Sequence, residues 1–252
     1  MPPQARLAAI RAHLATSAAG GPAMGVSPFG DARLDAVLPG GGLALGHWHE
    51  LAGEGLDQET GAAPAAFAAL LARPLMATGA LVWVMRRDDL HAPGLAGLGL
   101  DWSRLIQVRV RTDAEAQGAL EDALRSRGVA AAVGEVERID LTAGRRLQLA
   151  CEAASATGFV LRRRPFGGGS GLGRDEGSAA ATRWTVACAP SRPAPGEPGL
   201  GLPRWRARLE RCRGGRTGEW MVEMSDGPYP LRVVAALGDR LLAAPQPLRL
   251  VG

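Results

Sequence analysis

One stretch constrains this chain more than any other: SPFGDARLDAVLPGGGLALGHWHELAGEGLDQETGAAPAAFAALLA, which begins at Ser27. Its apolar spacing predicts a short helix around Leu34–Leu38, a glycine turn at Gly40–Gly42 and a strand at Trp48–Leu51. A loop carrying Gly53, Gly55, Thr60 and Gly61 then leads into an alanine-rich helix through Phe67, Leu70 and Leu71. Strand, glycine loop and helix in that order make a phosphate-binding loop, because backbone N–H groups and a helix N-terminus meet the anion. Phosphoryl transfer needs more: Gly-x-x-x-x-Gly-Lys-Ser/Thr, whose lysine reaches the outer phosphates and whose hydroxyl holds Mg²⁺. Here Ala62 and Ala63 follow Gly61, and the stretch from Gly53 to Gly61 is too long for the motif. The chain contains no lysine at all. The scaffold is expected without its catalyst.

The remainder alternates strand and helix. ALVWVM at Ala80–Met85 is a continuous apolar run, as in a strand covered on both faces. Further strands are expected at Leu105–Val110, Val129–Val133 and Phe159–Leu161. One intervening helix opens on a capping box, Thr112 to Glu115, and closes at Gly128; another covers 142–156. Such alternation implies a three-layer α/β domain on a mostly parallel sheet. After a glycine-rich loop at 165–179 come a strand, Thr182–Cys188, and an antiparallel hairpin that buries Trp205, Ala207, Leu209, Trp220, Val222 and Met224. The chain divides into an N-terminal helix and linker (1–26), a core (27–228) and a C-terminal tail (229–252). The first helix, with Leu7, Ile10 and Leu14 on one face, and the tail are expected docking elements, since neither is needed to close the sheet.

Composition excludes several classes. A length of 252 residues, 46% hydrophobic and 21% charged, suits one globular core. No apolar run approaches the roughly 20 residues of a membrane helix, so a cytoplasmic, nucleoid-associated protein is expected. Cys151, Cys188 and Cys212 are scattered and odd in number, which fits reduced and mostly buried thiols. His47 and His49 have no third ligand nearby and make a poor metal site. A net charge of +4, carried by arginine alone, admits nucleic acid without requiring it.

The candidate DNA-binding residues are Arg162, Arg163, Arg164, Arg174 and Arg183, which flank the glycine loop and could follow a phosphate backbone beside Trp184. Against this, Asp175 and Glu176 put negative charge in the same loop, the arginines could be solvated, and Trp184 could be core. Arg204, Arg206 and Arg208 alternate with apolar residues, and with Arg211, Arg213 and Arg216 they read as a solvated hairpin face.

Taken together the chain resembles a RecA-like core over roughly residues 27–226. Gly46 and Glu50 match family positions. The resemblance puts Gly134 where the Walker B aspartate belongs, with Glu135 beside it, and Arg86–Arg87–Asp88 where the catalytic glutamate belongs. These losses imply that ATP hydrolysis is not efficient; weak ATP binding by backbone N–H groups stays open, and no other cofactor is expected. LDAVLPGGGLALGHWHE, LHAPGLAGLGLD and LERCRGGRTGEWMVEM are similar to motifs of the ImuA-type family of damage-induced mutagenesis factors. That likeness implies a non-hydrolysing accessory protein of translesion synthesis. Its implied partners are an ImuB-type polymerase homologue and a DnaE2-type polymerase, with RecA and single-stranded DNA as further candidates and no membrane. Two alternatives remain open: a SulA-like cell-division inhibitor that binds a tubulin-like protein, and an unorthodox DNA-stimulated ATPase relying on Glu135.

Overall fold

The computed structural model describes residues 25–55, 61–163, 178–193, 196 and 198–237. Its strands run in chain order β1 (Val26–Ser27), β2 (Leu43–Ala44), β3 (Trp48–Gly53), β4 (Ala80–Met85), β5 (Leu105–Arg109) and β6 (Val129–Val136). They continue as β7 (Thr157–Arg162), β8 (Thr182–Ala189), β9 (Arg204–Cys212), β10 (Gly218–Met224) and β11 (Leu231–Ala236). The α-helices are α1 (Ala32–Asp35), α2 (Ala62–Ala72), α3 (Ala92–Ala96), α4 (Asp113–Arg125) and α5 (Leu141–Ala154).

Nine strands form one sheet in the order β11-β10-β9-β8-β3-β7-β6-β4-β5, while β1 and β2 pair separately. From β8 to β5 every pairing is parallel; from β8 to β11 every pairing is antiparallel. This is the expected α/β architecture with its C-terminal hairpin. The hairpin gains a third strand, because Leu231–Ala236 lies in the segment 229–252 that the sequence set apart as a tail.

Each face of the sheet has its own core. On one face α2 lies over Leu51, Trp83, Phe159 and Trp184, and the same cluster runs on under the hairpin through Trp205, Leu209 and Trp220. On the other, α4 and α5 cover Trp48, Val82, Val136 and Val160. Alternate residues of β3 supply both cores, as a strand repeat of two requires. Trp48 fits because two neighbours have no side chain: a Cβ on Gly158 would lie 3.0 Å from its Cβ, and one on Gly144 would lie 3.0 Å from its ring.

Helix starts follow local chemistry. Thr112 Oγ1 accepts the Glu115 N–H at 3.2 Å, and the Glu115 carboxylate reaches back to the Arg111 N–H at 2.7 Å, one residue before the cap. The helix stops at Arg125, three residues short of the glycine expected to end it; Gly128 instead takes φ +87° in the turn before β6. Asp140 caps α5 by accepting the Ala143 N–H at 2.7 Å.

Candidate functional site

Residues 56–60 of the glycine loop lie outside the described residues. Gly53 ends β3, Gly55 follows with φ +85°, and Gly61 stands at the N-cap of α2 without a side-chain cap. Thr60, like Arg164 and Arg174, lies outside the described residues.

Glu135 sits on the α2 face of β6 and is almost completely buried, at 1% exposure. Its Oε1 accepts the Trp83 indole N–H at 3.1 Å, and its Oε2 accepts Arg163 Nε–H at 3.1 Å. A second contact, Arg163 Nη2 to Oε1 at 3.0 Å, closes the pair, and Asp89 lies 3.7 Å from the same nitrogen. A guanidinium therefore occupies the carboxylate that a Mg²⁺ or a nucleophilic water would need. Gly134 turns to the opposite face, where a Cβ would meet Leu120 Cδ2 at 2.6 Å. Leu120 of α4 packs directly against Gly134 there.

Three of the candidate DNA-binding arginines are described, and two are spent inside the protein. Arg162 and Arg183 are each 6% exposed, and Glu50 between them is fully buried. Arg162 Nη1 donates to Glu50 Oε1 at 2.8 Å and Arg183 Nε to Glu50 Oε2 at 3.1 Å. The parallel register dictates this: Glu50 pairs directly with Arg183 on β8 and lies two positions from the partner of Arg162 on β7. The expectation that these two side chains reach a phosphate backbone is corrected by that burial. Arg163 lines both cavities, but its guanidinium is held by Glu135. Trp184 is likewise core: it is fully buried, with Phe29, Phe67 and Trp220 rings at 6.0, 5.6 and 6.2 Å.

The second basic stretch matches its reading as the half-exposed side of a hairpin, and three of its six guanidiniums are paired with carboxylates. Arg204 pairs with Glu223, Arg206 with Glu54 and Glu219, and Arg208 with Glu210. Arg211, Arg213 and Arg216 donate to the backbone carbonyls of Ser178, Ala179 and Ala36.

Two cavities open beyond the C-terminal ends of the parallel strands, the edge at which open α/β sheets take ligands. The larger, about 680 Å³, has the first turns of α2 (Gly61, Ala62, Ala65) along one wall, with Leu95 of α3 and Trp205 of β9 also lining it. The smaller, about 100 Å³, is lined by Arg86, Arg87, Arg111, Arg163, Glu135 and Glu137. Arg87 and Arg163 line both. Gly61 thus lines the larger cavity and Glu135 the smaller, with Arg87 and Arg163 common to both. Arg111 was not singled out from the sequence, although one signal was present: Arg86, Arg111 and Arg163 each follow within two residues of a strand end.

His49, which the sequence discounted as a ligand, belongs to the interior. Trp184 Nε1–H donates to Thr182 Oγ1 at 2.8 Å, and the Thr182 hydroxyl in turn lies 2.8 Å from His49 Nδ1. His49 Nε2 faces the Ala44 carbonyl at 2.9 Å. Only the neutral Nε2–H tautomer satisfies every group in this chain, and burial lowers the His49 pKa to about 4. Cys151 is buried and its thiol is pushed up to about 12 by desolvation, while Cys188, against expectation, is exposed. No group of metal-ligating residues occurs among the described residues. Nor is any described helix long and apolar enough to cross a membrane.

Protein ImuA from two strains of Caulobacter vibrioides is 55% identical over 235 residues, covering 90% of this chain and 96% of the relative. The chain belongs to the ImuA family. No family model matches it. A crystal structure of SulA from Pseudomonas aeruginosa is similar at a TM-score of 0.40 and 22% identity, over 46% of this chain and 98% of that one.

Proposed function

We propose that this ImuA-family chain is a non-hydrolysing accessory scaffold of damage-induced translesion synthesis, acting with an ImuB-type polymerase homologue and a DnaE2-type polymerase. The observation that carries the non-hydrolysing part is the Glu135–Arg163 pair. Phosphoryl transfer depends on positive charge placed on the phosphates by lysine and Mg²⁺ and on a carboxylate available to metal or water. Here the lysine is absent, and the buried carboxylate is held by a guanidinium and an indole N–H. The mutagenesis role is supported by family membership together with the motif likeness.

The test is genetic and biochemical. Deleting the gene should bring ultraviolet-induced mutation frequency down to the uninduced level. Both wild type and Glu135→Gln should restore it, because no turnover is required. The purified chain should co-purify with the two polymerases and release phosphate from ATP at the background rate. Mutagenesis that survives the deletion, or filamentation on overexpression with unchanged mutation frequency, would overturn the reading. DNA-stimulated turnover abolished by Glu135→Gln would instead establish an ATPase.

A further inference from the structure

We propose that this chain pairs with a second copy of itself through the outer face of α5, the two helices running antiparallel about a two-fold axis. Leu149 meets Leu149 of the second copy at that axis, and Arg145 of each copy meets Glu152 of the other. The product is a weak, reversible dimer.

The outer side of α5 carries a stripe of unengaged groups. Leu141 and Leu149 are 49% and 61% exposed, on a helix whose Leu147, Ala150 and Cys151 are buried in the core. Arg145 and Glu152 are exposed as well. At about 100° per residue, Leu141, Arg145, Leu149 and Glu152 fall within about 80° of arc, on the side away from Leu147 and Cys151. Arg145 makes no ion pair or hydrogen bond among the described residues. Glu152 accepts the Gln148 Nε2–H at 2.9 Å and has no cationic partner among them. The neighbouring Arg146 is already held by Glu121 of α4. Arg145 and Glu152 do not meet within the helix, because seven residues span about 10.5 Å of its axis.

This pattern is complementary to itself. Setting Arg145 against Glu152 of a second, antiparallel α5 fixes the register, and the same register brings Leu149 against Leu149 and Gln148 of that copy. An apolar centre flanked by two identical ion pairs is what a two-fold contact requires, since each copy must return the contact it receives. The competing register, Leu141 against Leu149, would set Arg145 on Arg145 and is disfavoured by like charge. A uniformly acidic partner would answer Arg145 but repel Glu152. One helix from each copy buries less than the roughly 1,200–2,000 Å² of a stable interface, so the dimer forms at high protein concentration. The pairing also leaves the cavities open, because α5 covers the face of the sheet opposite to α2.

The experiment is sedimentation velocity of the full chain over a concentration series, at low and at high salt. Wild type should pass from monomer to dimer as concentration rises, and added salt should weaken the dimer by screening its ion pairs. Leu149→Asp, Arg145→Glu and Glu152→Arg all change exposed positions, and each should raise the dissociation constant by roughly tenfold or more. An equimolar mixture of the Arg145→Glu and Glu152→Arg chains should dimerise as wild type does, because a mixed dimer regains an opposite-charge pair at both ends. A loss of fold would not be rescued by mixing. A wild type that stays monomeric, a dimer that Leu149→Asp leaves intact, or single variants that mixing does not rescue would overturn the proposal. A monomeric wild type whose co-purification with the polymerases is lost in Leu149→Asp would assign the face to a different protein and exclude the second copy. The inference stands apart from the scaffold reading, since its failure would leave the wild-type mutagenesis and co-purification results unchanged.

Discussion

His49 shows how one buried residue makes the protein sensitive to acid. Its imidazole is enclosed by Thr182 and Ala44, and all of its hydrogen-bonding capacity is used in the neutral form. The folded chain takes up the proton only near pH 4, whereas the unfolded chain does so near 6.5. Protonation therefore favours unfolding, and stability present above pH 6.5 drains away as the pH falls through that window. Between pH 7 and pH 5 the loss should be about 2 kcal/mol, at about 1.4 kcal/mol per pH unit once the unfolded histidine is protonated. Glu121 and Glu223, whose pKa values are lowered by arginine partners against the cost of burial, act below this window. Urea unfolding at pH 7 and pH 5 checks the point. A His49→Gln chain should lose most of the difference, and an unchanged difference would remove His49 as its cause.

At the scale of elements, the decisive contact is the one that ties three strands together. Glu50 on β3 holds Arg162 at the end of β7 and Arg183 at the start of β8, where the sheet passes from its parallel part toward its antiparallel part. Two guanidiniums and one carboxylate lie out of water, so the triad adds less than its geometry suggests, but removing the acid takes the carboxylate away from two buried cations. Glu50→Gln, nearly the same shape, should therefore cost about 3–5 kcal/mol of folding stability. A shift in the urea midpoint worth less than about 1 kcal/mol would mean that the arginines find solvent or other partners. Asp113 performs a similar service at the start of α4, accepting the Glu137 and Arg138 N–H groups at the end of β6.

For the molecule as a whole, one cluster of buried side chains links the parallel strands to the hairpin. Leu51 and Phe159 belong to the same cluster as Trp184, Trp205, Trp220 and Val233. The antiparallel part thus has no core of its own to fall back on. Unfolding should be a single transition, with tryptophan emission and far-ultraviolet circular dichroism giving one midpoint. Two resolved midpoints would show that residues 204–236 melt independently. The two open cavities sit at one edge of this unit, at the ends of strands from several different parts of the chain, which is why the site depends on the whole sheet.

The architecture was legible residue by residue. The apolar run at Ala80–Met85, the capping box at Thr112–Glu115 and the alternation Trp205–Ala207–Leu209 each state a local preference, and the structure adopts all three. The missing lysine is equally a property of the sequence. Segment 229–252 had no decisive period, and its strand β11 forms because the edge of β10 is there to pair with. The arginines were legible as charges but not as roles. Arg162 and Arg183 look as free as Arg87 and Arg111 in one dimension; lateral register puts the first two beside Glu50 and leaves the other two at a cavity. Local propensity and period are set by neighbours along the chain, so the sequence determined the elements. Whether a charge is paired or open depends on residues brought together across the sheet, and that was decided only by the tertiary structure.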